Sequence, residues 1–334
     1  MDKKQIQEFI DHCRFNDSCN DSRLIETHIS WIVLTDNYAY KFKRPVEYSF
    51  VDFSTMELRE KYCNLEVDLN RRLSPDMYLG VVPVTANGIK EDADSENDEI
   101  IDHAVKMKRM DDSKRMDKLL KQGNVDRNDI EKLAKKLALF HSEARIVKNA
   151  FKTNAFQEKY RDLLSVGDYI KEQFGDKYLG QIKEVIDQSY NYLNKNRNFM
   201  NHRVINNFQR DCHGDLNSTN IFLYDEPVIF DCIDFNKEFR VIDLLNEIAF
   251  LSVDLDFYGY TSFGDQLYNS YMQAYGAGLN KENELLYTYY KSYRANIRAK
   301  VTAISASKSN SDDKSGEVKT YLDLMIHYAD NLTI

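Results

Sequence analysis

His213-Gly214-Asp215-Leu216-Asn217-Ser218-Thr219-Asn220, followed closely by Ile233-Asp234-Phe235-Asn236, decides how this chain of 334 residues is read. An aspartate and an asparagine five positions apart precede a further aspartate on an apolar segment. Ile221-Phe222-Leu223 and Val228-Ile229-Phe230 flank Tyr224-Asp225-Glu226-Pro227, a pattern that predicts a β-hairpin. The hairpin returns the chain, so Asp234 can end beside Asn220. Gly, Asp, Asn and Ser are also ordinary turn residues. The spacing of the whole set therefore carries the reading, and His213-Gly214-Asp215 alone does not.

The chemistry that needs such a set is phosphoryl transfer, in which the protein mainly positions groups and stabilises charge. Asp215 can orient an acceptor hydroxyl and take its proton. Mg²⁺ prefers hard oxygen ligands, and Asn220 and Asp234 supply them. A cation for the nucleotide phosphates is also required, with an acid to hold it. Thr27 to Lys43 alternates and is rich in β-formers, so it predicts a pair of strands turning at Thr35-Asp36-Asn37. Lys41 lies near the end of the second strand; Lys43 is one pleat further on and shares its face. Either can serve as the phosphate lysine. Ser54 to Leu73 reads as a helix, with Ser54 as N-cap and Glu57 completing a capping box. Glu66 borders its apolar stripe of Leu58, Tyr62, Leu65, Leu69 and Leu73 and can reach Lys41; Glu60 is the alternative partner. Neither GxGxxG nor GxxxxGK[ST] occurs, so a phosphate-covering loop falls to the turn near His28 to Trp31 and a P-loop NTPase is unsupported.

These residues resemble the aminoglycoside phosphotransferase family, a branch of the protein-kinase-like fold. The family pattern HGDxxxxN, an I-D-F/W segment and a later Asp reads here as His213-Gly214-Asp215, Asn220, Ile233-Asp234-Phe235 and Asp243. The chain is also similar to an uncharacterised bacterial subgroup of that family. The stretches that carry this likeness are Tyr40-Lys41-Phe42-Lys43-Arg44-Pro45, Asp52-Phe53-Ser54-Thr55-Met56-Glu57, Leu69-Asn70-Arg71-Arg72-Leu73 and Asp231-Cys232-Ile233-Asp234-Phe235-Asn236. The resemblance runs from about Glu26 to about Leu255.

It implies Asp215 as catalytic base, Asn220 and Asp234 as Mg²⁺ ligands, and Lys41 as phosphate lysine paired with Glu66. It implies that Asp243 ties the catalytic loop to the following helix and that His213 braces the loop. Position 217 is Asn where many relatives carry His, so a cation near the γ-phosphate is missing. Some members of the subgroup carry a C-terminal P-loop ATPase. This chain lacks one, which implies a stand-alone form or a separate ATPase partner.

The expected fold is α+β and bilobal. An N-lobe over 1–105 holds an N-terminal helix, an antiparallel sheet and one long helix. A mainly helical C-lobe over 106–334 holds the catalytic loop 213–220 and the metal-binding segment 233–236, with ATP (or GTP) and Mg²⁺ between the lobes. Ala104 to Met110 fits a strand running into the hinge, where backbone groups at Lys108, Arg109 and Met110 would meet adenine. The expected substrate is a small-molecule hydroxyl acceptor. A nucleotide-binding regulator with little catalysis and a protein or self-phosphorylating kinase are the alternatives.

Composition fits a soluble globular protein: 43% hydrophobic, 30% charged, net charge −9. The acidic balance argues against general nucleic-acid or anionic-membrane binding. No apolar run approaches a membrane span and no signal-peptide pattern follows Met1, so a cytoplasmic protein is expected. The five cysteines include no CxxC and imply reduced thiols without a disulfide frame or zinc site. Residues 5–13 read as a short helix, 91–99 as an acidic hairpin loop, and 307–313 as a polar loop between helices over 281–305 and 316–332. Asp126 to Ala144 and Asp243 to Leu255 read as helices, with more helices over 152–200 and 264–276.

Overall fold

The computed structural model describes residues 1–48, 50–89, 99–309 and 312–332, with only the backbone described at 308–309 and 312–313. The chain divides into two compact units, 1–118 with 220–239, and 119–219 with 240–334. The expected boundary at 105/106 ran once along the chain; here 220–239 joins the first unit. Local bonds account for this. Leu223 N donates to Lys114 O (2.8 Å), and Ser74 Oγ donates to Ile229 O (2.7 Å).

The first unit holds a six-stranded antiparallel sheet. Its spatial order is Arg23–Glu26, Ser30–Leu34, Tyr38–Lys43, Ile100–Lys108, Tyr78–Thr85 and Gly88–Ile89. Strand alternation separates two cores. Trp31, Val33, Tyr40 and Phe42 pack with Ile6 and Phe9 of the Lys3–Asp11 helix. Ala39, Val105 and Met107 pack on the other side with Cys63 and Val67 of the Met56–Arg71 helix. Lys41 and Lys43 alternate with Tyr40 and Phe42, which turns both lysines to the Ala39 face.

Local bonds shift several expected boundaries. The long helix is capped by Thr55, whose side chain accepts from Leu58 N (3.3 Å). Ser54 is held instead by Asp52, donating through N (2.9 Å) and Oγ (2.6 Å) to Oδ1, so the expected capping box does not form. The first helix starts earlier than expected because Asp2 and Gln5 make a capping box. The expectation of reduced thiols throughout fails at one pair: Cys13 and Cys19 form a disulfide. The turn between them brings their Cα atoms to 5.8 Å, within bridging range. Cys63, Cys212 and Cys232 are buried and take no part in a disulfide among the described residues.

The described part of the second unit is mainly helical. Arg127–Glu143 begins at a capping box between Asp126 and Asp129. Leu244–Phe257 is buried over nearly its whole length and packs with Thr261–Tyr275 and Lys281–Ser309. The polar loop expected over 307–313 is mostly helix: Lys281–Ser309 runs on, and Asp312–Asp330 starts almost at once. Ser307 Oγ donates to Ile304 O (3.0 Å), so the hydroxyl is accommodated within the helix. Most of the acidic loop read over 91–99 lies outside the described residues. No described helix is long and apolar enough to cross a membrane.

Candidate functional site

In the first unit, strand, helix and hairpin converge on one charged cluster. Lys41 Nζ donates to Glu66 Oε1 (2.7 Å) and to Asp231 Oδ1 (2.6 Å). Lys43 Nζ donates to Glu66 Oε2 (2.5 Å) and to Asp234 Oδ2. The choice between the two lysines thus resolves into a shared glutamate with a separate aspartate for each. Glu60 lies elsewhere, exposed, with its carboxylate 3.8 Å from His103 Nε2. The pairs differ in access. Lys43 and Asp234 keep 1% and 7% side-chain exposure, whereas Lys41 keeps 12% and Asp231 47%.

Burial alone would lower both lysine pKa values, but the neighbouring carboxylates reverse that and raise them. Burial pushes Glu66 up, and the two ammonium groups more than offset it, leaving its carboxyl below the ordinary glutamate value. Asp234 is held above the ordinary aspartate value by burial, against the opposing pull of Lys43. Lys43 keeps its proton, because its burial is opposed by Asp234 and Glu66 together.

The segment bearing the aspartates is clasped by the Leu69-Asn70-Arg71-Arg72-Leu73 stretch. Asn70 Nδ2 donates to Glu66 O (2.8 Å), and its Oδ1 accepts from Cys232 N (2.8 Å). Arg72 Nη2 approaches Cys232 Sγ at 3.3 Å. Asp231 N donates to Tyr78 Oη (3.2 Å). Asp231 itself has φ +63°, a left-handed conformation that costs a non-glycine residue about 1 kcal/mol or more. This strained residue opens the Asp231-to-Asn236 stretch, and its sequence gives no sign of the strain.

At the expected hinge, Lys108 N donates to Met77 O and Arg109 N to Asn37 O, each at 2.9 Å. The Arg109 side chain is occupied by Asp21 (2.7 Å) and by Thr35 O (2.8 Å). Met110 N makes no hydrogen bond to any described residue. Met110, Ile32, Leu34 and Phe230 are partly buried against the Ala39 core.

The second unit carries Asp215. The Gln209–Asp211 strand pairs with Val241–Asp243, which leads directly into the Leu244–Phe257 helix. Glu247, one turn into that helix, therefore lies against the loop. Its Oε2 accepts from His213 N (2.8 Å) and its Oε1 from Gly214 N (2.6 Å). Gly214 needs its φ of +90°, which glycine adopts without strain. His141 Nε2 meets Glu247 Oε2 at 3.0 Å, and its Nδ1 meets Tyr271 Oη at 2.9 Å. Burial raises the Glu247 pKa, but His141 and the loop more than reverse this and bring it to about 2. The loop is thus tied down by Glu247. Asp243 caps the helix at Leu245 N (2.8 Å) and pairs with Arg203 (2.5 and 2.8 Å).

His213 is fully buried and accepts from Asp215 N at Nδ1 (3.2 Å), a bracing position. Asn217 stitches the loop: Nδ2 donates to Asp215 O (3.1 Å), and Oδ1 accepts from Thr219 N (3.0 Å). Ser218 donates through N (2.8 Å) and Oγ (2.5 Å) to Asp254 Oδ2. Lys41, Glu66 and Asp234 are thus brought together in the first unit, which also holds Asn220, while Asp215 belongs to the second. A carboxylate in a helix otherwise dominated by Leu244, Leu245, Ile248, Ala249, Phe250 and Leu251 was the available signal for Glu247.

No family model matches the chain. Uncharacterised proteins of Mycobacterium tuberculosis and Mycobacterium bovis are 28% identical over 299 residues, covering 88% of this chain and 57% of theirs. The chain thus spans little more than half the length of these relatives. Among solved structures, choline kinase from Cryptosporidium parvum is similar with a TM-score of 0.55 at 12% identity, covering 98% of this chain and 96% of that one. The GDP complex of aminoglycoside 2'-phosphotransferase-IIIa is similar with a TM-score of 0.51 at 14% identity, covering 99% of both chains. The chain has the α+β, protein-kinase-like fold of aminoglycoside phosphotransferases and choline kinases.

Proposed function

We propose that this chain is a phosphotransferase that moves the γ-phosphoryl group of ATP or GTP to a hydroxyl of a small molecule. The observation that carries the reading is the cluster in which Lys41 and Lys43 share Glu66 and each hold an aspartate. A structural ion pair needs one cation and one anion. Two cations with three carboxylates, one of them half-exposed on a strained backbone, suit a site that handles phosphates and a metal.

Lys41, the more accessible cation, binds phosphate oxygens, and Glu66 holds it in place. Lys43 keeps the buried Asp234 and Glu66 compensated. Met110 N donates to the base of the nucleotide, while Ile32, Leu34 and Phe230 give its faces apolar partners. Asp231, Asp234 and the Asn220 amide are hard oxygen donors that fit Mg²⁺, and Asp231 adds a carboxylate to the pair expected from sequence. Bound there, Mg²⁺ would neutralise charge on the phosphate oxygens. Asp215 orients the acceptor hydroxyl and accepts its proton as the new P–O bond forms. The bond from the γ-phosphorus to its bridging oxygen breaks, and that electron pair leaves on the nucleoside diphosphate. Glu247, His213 and Asn217 hold the Asp215 loop without touching the reactants.

The neutral amide at Asn217 favours a second reading, a nucleotide-binding regulator with little turnover. Thermal shift with ATP, GTP and Mg²⁺, on wild type and Asp231→Asn, tests binding, because a ligand of the folded state raises the melting temperature. Transfer of labelled γ-phosphate to a panel of hydroxyl compounds then separates enzyme from regulator. Absence of a Mg²⁺-dependent shift with either nucleotide at millimolar concentration overturns both readings.

A further inference from the structure

Asp215 shares the second unit with two guanidinium groups one helical turn apart. Arg294 and Arg298 belong to the Lys281–Ser309 helix, and the charge of Asp215 acts on both. Arg294 is 5% exposed. Its Nε donates to Asn246 Oδ1 (2.6 Å) and more weakly to Asn246 O (3.3 Å), and its guanidinium lies 4.5 Å from the Phe250 ring centre. Its terminal nitrogens make no hydrogen bond to any described residue, and no described carboxylate forms an ion pair with it.

Arg298 is anchored by one edge. Nε and Nη2 both donate to Tyr321 Oη (3.2 and 3.0 Å), and Nη2 lies 3.6 Å from Asp254 Oδ1. Nη1 makes no hydrogen bond to any described residue, and the side chain keeps 26% exposure. The other oxygen of Asp254 holds Ser218, so the arginine and the Asp215 loop are built on the same carboxylate.

Arg294 is a buried cation with no carboxylate among the described residues paired to it, which is costly and calls for an anion, while Arg298 meets Asp254 by one nitrogen only. The guanidinium fork matches the oxygens of phosphate and carboxylate. The Asp215 loop offers only a neutral amide at Asn217, so any cation there must come from another element. We propose that Arg294 and Arg298 form an oxyanion-binding pair beside Asp215, taking a phosphoryl or carboxylate group through their unused N–H groups. In its use this rests on the phosphotransfer reading. The oxyanion belongs either to the acceptor molecule, which is then a hydroxy compound bearing its own negative charge, or to the phosphoryl group in transfer.

Calorimetric titration of the full chain with inorganic phosphate, against chloride at matched ionic strength, tests the pair without requiring turnover. Wild type binds phosphate; Arg298→Gln weakens binding at least about tenfold, and Arg298→Lys recovers part of it. Asp215→Asn tightens binding, because a like charge beside the phosphate is removed. Phosphate binding that persists with a non-hydrolysable ATP analogue and Mg²⁺ bound assigns the pair to the acceptor. Binding excluded by the analogue assigns it to the transferred group. Phosphate no more effective than chloride, or Arg298→Gln binding as wild type while folded by circular dichroism, overturns the pair. A nucleotide-dependent thermal shift that survives such a result leaves the phosphotransfer reading intact.

Discussion

Lys41 and Lys43 each hold one oxygen of Glu66, at 2.7 and 2.5 Å, from adjacent positions on the same strand face. One glutamate thus orients two ammonium groups with different surroundings. Lys43 is sealed against Asp234, whereas Lys41 meets the half-exposed Asp231. Under the proposed function, this asymmetry separates a stabilising lysine, Lys43, from a phosphate-binding one, Lys41.

Lys43→Met leaves Asp234 and part of Glu66 buried without compensation. Loss of one partner from a buried ion pair costs about 3–5 kcal/mol. Lys41→Met costs less, because Asp231 can turn to water, but it removes the Mg²⁺-nucleotide thermal shift. Urea unfolding of both variants, with and without ATP and Mg²⁺, checks the contrast. Equal destabilisation of the two would contradict it.

Asp215→Asn keeps the loop geometry but cannot accept a proton. Transfer of γ-phosphate should fall roughly 10²- to 10⁴-fold while nucleotide binding survives. Unchanged turnover would remove Asp215 from the base role.

Glu247 gives the fold a defined acid sensitivity. Its folded-state pKa of about 2 lies below the ordinary 4.5, so its stabilising contribution is complete above pH 4.5 and is lost as the pH falls toward 2. The gap corresponds to about 3 kcal/mol at neutral pH. Glu247→Gln should lower neutral-pH stability and flatten the stability profile across that interval, as chemical denaturation at a series of pH values would show.

Asn70→Leu removes both bonds that join Glu66 O to Cys232 N. The buried N–H of Cys232 is left without this partner, at a cost of about 1–3 kcal/mol. Because Cys232 follows Asp231, the variant should also weaken nucleotide binding beyond what a remote substitution of equal stability cost does. Matching it against such a control separates the two effects.

The Cys13–Cys19 bridge closes a short loop, for which the chain-entropy account gives about 2 kcal/mol of stabilisation. Reduction should lower the melting temperature and expose two thiols to labelling under native conditions, leaving the buried Cys63, Cys212 and Cys232 slow to react. Five thiols reacting alike in the unreduced protein would contradict the bridge.

Much of the arrangement is legible in the sequence. Strand alternation put Lys41 and Lys43 on one face, the apolar stripe over Leu58 to Leu73 gave the helix that carries Glu66, and the Ile221-to-Phe230 pattern gave a hairpin. Less was legible where a single side chain chose between neighbours. Asp52 takes Ser54 and leaves the cap to Thr55, a competition between two hydrogen-bonding side chains that spacing cannot rank. Ser307 to Ser309 looked like a loop by composition, yet helix propensity is a weak preference that a long packed helix overrides.

Periodicity and turn chemistry act over a few residues. The sequence alone therefore determined the Asp215-to-Asn220 spacing, the strand lysines and the helix glutamate. Charge partnership depends on distances between elements far apart in the chain. Only the tertiary structure decided that Glu66 serves both lysines, that Asp231 joins them from 190 residues beyond Lys41, that Glu247 holds the Asp215 loop, and that Arg294 and Arg298, in the same unit as that loop, have N–H groups not bonded to any described residue. A carboxylate or guanidinium written in a sequence carries its charge with it, but the groups that will compensate that charge are chosen when apolar faces pack.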